Sequence, residues 1–314
     1  MKSIINLIII ALLLILLSYF NVIDIKIIFS LDVKKHYIPI LLSIFLLFIG
    51  NTLSGLRWKS LCKAYNYELS NYQCLKITYK AGLLSYILPG QIGSEITKVY
   101  LATRGESTKS RDAILSATIW DRVFALFSQL VLLVILSYNA FYKLNNSLFY
   151  ITSISIIFSI VIITFYIFLN FSFKKTFQLL GKHKFISYIG NFLKIVKDLL
   201  VTSPKYVFKI LIYSVSIHMI GIYVIYLLAN ILYYSASFSE LGFMTLVSNI
   251  FAVIPITPGG IGMSELVFSY LGNLLDLKYT LGIANIYILF RIFNIGSFII
   301  GETIIIFTSV FIRD

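Results

Sequence analysis

Charge is what this sequence has least of. Only 12% of its 314 residues are Asp, Glu, Lys or Arg, while 59% are hydrophobic. Soluble domains carry about 25% charged residues, so a soluble globular fold is excluded. Cysteine is almost missing, with Cys62 and Cys74 the whole supply. Both fall near or in an expected cytoplasmic segment, which argues against a disulfide scaffold, and two alone hold no metal. Histidine is as sparse and is dispersed at His36, His183 and His218. No metal-ligand cluster is legible, and neither metal nor cofactor is expected. There is no P-loop and no nucleophile motif. Transport, if this chain performs it, is then passive, ion-coupled or dependent on a partner, and the chain is not expected to be an enzyme. The alternating ten-residue segments of a membrane β-barrel are missing too.

Long apolar runs are what the chain does have. They lie at about 4–23, 37–56, 113–138, 148–170, 206–228 and 280–307, each close to the ~20 residues that cross a bilayer. The first follows Lys2 and lacks a small-residue cleavage site, so it reads as a retained helix and not a signal peptide. Two further apolar stretches, about 72–103 and 240–271, are interrupted by "LPGQIGSE" at Leu88–Glu95 and "TPGGIGMSE" at Thr257–Glu265. The arms beside these breaks are roughly 15 and 12 residues, too short to span. Each stretch therefore reads as a re-entrant hairpin. Irregular backbone at membrane depth is tolerated only when buried in protein or lining a wet cavity, so both tips belong inside the bundle. The expected fold is an all-α polytopic membrane protein, one membrane domain over 1–314, with about six full crossings and two hairpins.

Basic residues set the orientation, because cytoplasmic loops are enriched in Lys and Arg. The chain has 26 of them against 13 acids. With both termini inside, nineteen lie on the cytoplasmic side, nine of them in 57–112 and eight in 171–209. Five lie outside: Lys26, Lys34, Lys35, Lys143 and Lys278. The remaining two, Arg122 and Arg291, fall within spans. This placement points to a plasma-membrane protein and away from nucleic acid. Residues 171–203 carry six lysines, with Phe185, Ile189, Phe192, Val196 and Leu199 at near-helical spacing. They read as a basic amphipathic segment on the anionic inner leaflet, or equally as a solvated connector.

The two breaks are one motif used twice. Pro89 and Pro258 are 169 residues apart, and Gly90/Gly259, Ile92/Ile261, Gly93/Gly262 and Arg122/Arg291 keep that offset. "RVF" at Arg122–Phe124 answers "RIF" at Arg291–Phe293, and Glu95 pairs with Glu265 one residue out of step. The repeats run 37–138 and 206–307, each a helix, a broken hairpin and a helix. One extra crossing, 148–170, separates them, so they have inverted topology. Interrupted segments at matching places in two such halves point to a transport site near the midplane.

Arg122 lies about 13 Å into its span by helical rise, near the middle. A buried Arg there costs at least ~2.5–3.5 kcal/mol and needs a partner. Two readings stand: an ion pair with Glu95 or Glu265 that locks a hairpin, or a site for phosphate, whose geometry suits the guanidinium fork. Asp121 adjoins Arg122, but neighbours in sequence do not face each other on a helix. After each break, Gly93–Ser94–Glu95 and Gly262–Ser264–Glu265 open a second half-helix. Its N-terminus offers unpaired N–H groups and a positive dipole end to an anion, or Ser94 and Ser264 are ordinary caps.

"LPGQIGSE", "WDRVF", "PITPGGIGMSE" and "LFRIF", in that order, resemble the lysylphosphatidylglycerol synthase transmembrane family, including the flippase part of the multiple peptide resistance factor. The resemblance runs over nearly the whole chain. It implies translocation of phospholipid, or handling of polyprenyl-linked lipids in glycan assembly. Carried over, the functional positions are Pro89, Gly90, Gly93, Glu95, Asp121, Arg122, Pro258, Gly259, Gly262, Glu265 and Arg291. Bifunctional members continue into an aminoacyl-transferase domain that this sequence does not include, so lysyl-lipid synthesis is not expected of it. The reading is a lipid translocase that binds a headgroup phosphate between the hairpins. The alternatives are a non-transporting membrane partner of a lipid-modifying or glycosyl-transfer enzyme, or an intramembrane enzyme using Glu95 or Glu265 as acid and base.

Overall fold

A computed structural model describes residues 2–20, 22–88, 93–104, 106–141, 204–254, 256–275, 277 and 282–311. The span expected at 148–170, the basic segment 171–203, and Pro89 and Gly90 at the first break lie outside the described residues. Those described form an all-helical bundle: α1 Lys2–Tyr19, α2 Ile25–Phe29, α3 Tyr37–Ala64, α4 Asn71–Ser85, α5 Gly93–Thr103, α6 Thr108–Phe141, α7 Pro204–Ile231, α8 Phe238–Ala252, α9 Met263–Leu274 and α10 Ala284–Phe311. Four of them, α3, α6, α7 and α10, are long and apolar enough to cross a membrane.

Four of the expected spans, those at 37–56, 113–138, 206–228 and 280–307, recur with shifted ends, and one shift matters. The apolar run of the second span stops near 56, yet α3 continues to Ala64. It carries Arg57 into the protein interior, 5% exposed. Arg57, counted from the sequence among the charges of the cytoplasmic side, is thus a buried residue of the bundle. Helix continues past the hydropathy edge because Asp121 on α6 meets the guanidinium and Trp58, Leu61 and Cys62 pack beside it.

The chain forms two helical hairpins. The arms α4 and α5 pack on each other, as do α8 and α9. None exceeds 15 residues, about 22 Å of helix, short of a crossing. Both first arms begin with a capping box. Ser70 and Gln73 open α4, and Ser237 and Glu240 open α8. Each pair satisfies two otherwise unpaired amides at the hairpin base.

The hairpins enter from opposite ends. Lys35, just before α3, donates to the Tyr233 hydroxyl just after α7 at 2.7 Å, so these two packed helices run antiparallel. At that end Asn285, fully buried, ties the start of α10 to Asp24 through both its amide oxygen and its amide nitrogen, each at 3.0 Å. A core of Leu228, Ile231, Leu241, Leu271, Leu275 and Ile286 surrounds the second hairpin there. At the other end Trp58, Cys74, Ala102, Ile114, Trp120 and Ile210 surround the first. Each hairpin is thus gripped at its base by its own apolar cluster and projects inward to its tip.

Candidate functional site

The tips meet. The Gly259 N–H donates to the Leu88 carbonyl at 2.8 Å. Backbone from the two breaks, 169 residues apart in sequence, is therefore joined directly. Glycine is required for this approach. Gly259 sits at φ +59°, and a Cβ there would lie 3.2 Å from the Tyr86 Cα. Gly260, at φ +69°, would place a Cβ 2.7 Å from the Ala252 carbonyl oxygen. Left-handed backbone of this kind strains any L side chain.

Arg291, on α10, holds the second tip. Its Nη1 donates to the Gly259 carbonyl at 2.9 Å and its Nη2 to the Gly260 carbonyl at 3.0 Å. Nη2 also meets the Ser264 hydroxyl, and Nε pairs with the Glu265 carboxylate. The ring of Tyr287 lies under the guanidinium at 5.4 Å. Carbonyls that a tight turn would leave unpaired in an apolar medium are satisfied by one side chain. Glu265 is fully buried, and its Oε2 accepts the Gly262 N–H at 2.7 Å. The N-cap of α9 is thus Gly262, with Glu265 completing the cap, and not Ser264. Pro258 lies within this turn, which the Gly260 N–H closes onto the Thr257 carbonyl at 3.1 Å. In this hairpin the half-helix N-terminus already holds an anion, the protein's own carboxylate.

The first hairpin is built from the same parts but presents them differently. Arg122 Nη2 pairs with Glu95 Oε2 at 2.8 Å, with the two side chains 27% and 15% exposed. The corresponding values for Arg291 and Glu265 are 10% and 0%. Ser94, Glu95 and Arg122 line a cavity of about 290 Å³ between the hairpins. Gly93 does not; its missing side chain makes room for Leu88, whose Cβ would be 2.5 Å from a Cβ at that position. From the second half, Gly259 and Arg291 reach the cavity wall, while Gly262, Ser264 and Glu265 stand behind it.

Asp121 belongs to a second ion cluster. Its Oδ1 accepts from Arg57 Nε at 2.6 Å, and its Oδ2 lies 3.4 Å from Lys98 Nζ. All three line the cavity, and all three are buried. Adjacent residues on α6 thus serve two clusters: Asp121 faces Arg57 and Lys98, while Arg122 faces Glu95. The sequence reading missed Arg57 and Lys98, counting both among cytoplasmic charges that set orientation. A signal for Lys98 was present, because Glu95 and Lys98 are three apart and share a helix face.

Uncharged polar groups complete the wall. Asn51 donates to the Asn294 carbonyl oxygen at 2.9 Å and to the Ser297 hydroxyl at 2.8 Å, and Asn294 donates to the Tyr86 hydroxyl at 3.0 Å. The Tyr287 hydroxyl donates to Asn249 at 2.6 Å. The site is therefore a polar chamber, rich in cations, enclosed by apolar helices.

The family model described as the lysylphosphatidylglycerol synthase TM region matches residues 3–301. Neither a curated protein nor a solved structure matches significantly.

Proposed function

This chain belongs to the lysylphosphatidylglycerol synthase TM-region family, and from that premise we propose that it moves a lipid between leaflets by lodging the headgroup phosphate in the chamber between its hairpins. The observation that carries this reading is the chamber's charge. Four cations, Arg57, Lys98, Arg122 and Arg291, stand there among the described residues. Their carboxylate partners are three: Glu95, Asp121 and Glu265. A positive charge in excess inside an apolar shell is costly, and an anion from outside the chain offsets it.

Size supports a headgroup as the occupant. A volume of about 290 Å³ is at the small end of ligand pockets, roughly 300–1,000 Å³. It accommodates a headgroup and not the acyl chains, which stay in the bilayer. Arg122 belongs to the more accessible of the two Arg–Glu pairs and contacts the phosphate through its remaining donors while still paired with Glu95. Arg291 holds the tip. Opening of the Leu88–Gly259 junction lets the headgroup pass from one hairpin's side to the other's.

Reconstitution tests this. Liposomes containing the protein and fluorescent phosphatidylglycerol are scored by dithionite quenching. Wild type moves lipid faster than protein-free vesicles, and Arg122→Gln loses most of that rate while eluting as a folded species. Wild type no faster than empty vesicles, with either phosphatidylglycerol or a polyprenyl phosphate, sinks the reading.

A further inference from the structure

Lys98 has no role in the lock on either hairpin, and its surroundings are unusual. It lies on α5, five residues beyond the start of the half-helix, and is 4% exposed. Among the described residues its only carboxylate partner is Asp121, at 3.4 Å, and Arg57 already takes that carboxylate at 2.6 Å. Arg57 also donates to the Ser214 hydroxyl at 3.1 Å. Asp121 and Arg57 therefore neutralise each other, and Lys98 is the surplus charge. Its ammonium lies 5.6 Å from the centre of the Trp58 ring, which steadies a cation without neutralising it. An ammonium has three donors, and here one is spent on a long contact.

The second half has no such group. At the 169-residue offset Lys98 corresponds to Val267, or to Phe268 in the one-residue slip that aligns Glu95 with Glu265. Asp121 corresponds to Phe290 and Arg57 to Tyr226. The cluster is an addition to the first half, not part of the hairpin device. A structural need common to both hairpins does not explain it.

We propose that Lys98 is the cation that takes the lipid phosphate, with Arg122 beside it on the cavity wall, and that the chamber selects headgroups of net negative charge. This rests on the translocase reading above. The cavity-lining carboxylates, Glu95 and Asp121, are each committed to a cation of the protein. A zwitterionic or cationic headgroup would bring a second positive charge with no acid left to meet it. The ligand chemistry is a phosphate ester carrying no compensating ammonium. A phosphatidylglycerol-type diester and a polyprenyl phosphate monoester both satisfy it.

The test compares wild type, Lys98→Met and Lys98→Arg in liposomes. Three fluorescent lipids are used: phosphatidylglycerol, polyprenyl phosphate and phosphatidylcholine. Wild type moves at least one of the two anionic lipids, and which one identifies the source; phosphatidylcholine lags. Lys98→Met lowers the anionic rate by about tenfold, the loss of one charged hydrogen bond, and Lys98→Arg restores most of it. Melting temperature separates binding from structure. Because Arg57 and Asp121 remain paired without Lys98, the Met variant melts at or above wild type, as replacement of a surplus buried charge by an apolar side chain allows. Wild type that moves an anionic lipid while Lys98→Met is unchanged, or phosphatidylcholine that moves equally fast, overturns this inference and leaves the translocase reading standing. A Met variant that melts well below wild type and loses rate only in proportion to folded protein also overturns it, making Lys98 a structural partner of Asp121. Wild type that moves none of the three lipids overturns both.

Discussion

The two hairpins share a sequence motif and differ in what they do with it. In the second, Arg291, Glu265, Ser264 and the carbonyls of Gly259 and Gly260 form a closed set of contacts away from solvent. In the first, Arg122 and Glu95 form a pair that faces the cavity, joined by the Arg57–Asp121–Lys98 cluster. One sequence motif occurs twice, and burial differs between its two Arg–Glu pairs: one is closed off and the other lines the cavity. A buried ion pair is weak evidence of added stability but is damaging to break, because the orphaned partner stays in a poor solvent. An exposed pair contributes little to stability. The same Arg–Glu pair thus has different consequences in the two places.

Substitutions that separate the two hairpins follow in order of size. Arg291→Ala strands Glu265 and two turn carbonyls, and we expect a loss of about 3–5 kcal/mol, read as a collapse of the monodisperse peak on size exclusion and a large drop in melting temperature. Gly260→Ala forces an L side chain to positive φ against the Ala252 carbonyl and costs about 1–3 kcal/mol, seen as a lower midpoint in a thermal scan. The capping boxes predict equality. Ser70→Ala and Ser237→Ala should each cost about 1 kcal/mol, and hydrogen exchange should rise at the base of only the hairpin that was changed. Smallest in stability is Glu95→Gln. With its pair partly exposed, the expected change is below about 1 kcal/mol, while transport changes markedly. Equal melting losses for Glu95→Gln and Glu265→Gln would erase the distinction between the hairpins.

Much of this arrangement was legible in the sequence. The interrupted segments, the matched Pro–Gly steps and the arginines at one offset led to two hairpins entering from opposite ends, and Leu88 and Gly259 do touch. The capping boxes at Ser70–Gln73 and Ser237–Glu240 also follow a recognisable pattern in the sequence, a serine followed three residues later by Gln or Glu. Arg57 was not legible, and Lys98 was legible only through its spacing from Glu95. Hydropathy treats a charge beside an apolar run as the end of that run, whereas a carboxylate 64 residues away makes Arg57 an interior residue. Periodicity cannot reveal such pairing, because it arises only when α3, α5 and α6 pack. The difference in burial between Arg122 and Arg291 was likewise invisible, since their local sequences match. It comes from which neighbours close over them.

A high-resolution structure of the protein in nanodiscs containing anionic lipid tests the central claim most directly. The account predicts phosphate density in the chamber within hydrogen-bond reach of Lys98 and Arg122, with Arg291 still bound to Gly259, Gly260 and Glu265. Phosphate bound to Arg291 with that lock open, or anionic lipid ordered only on the outer faces of the bundle, would contradict it.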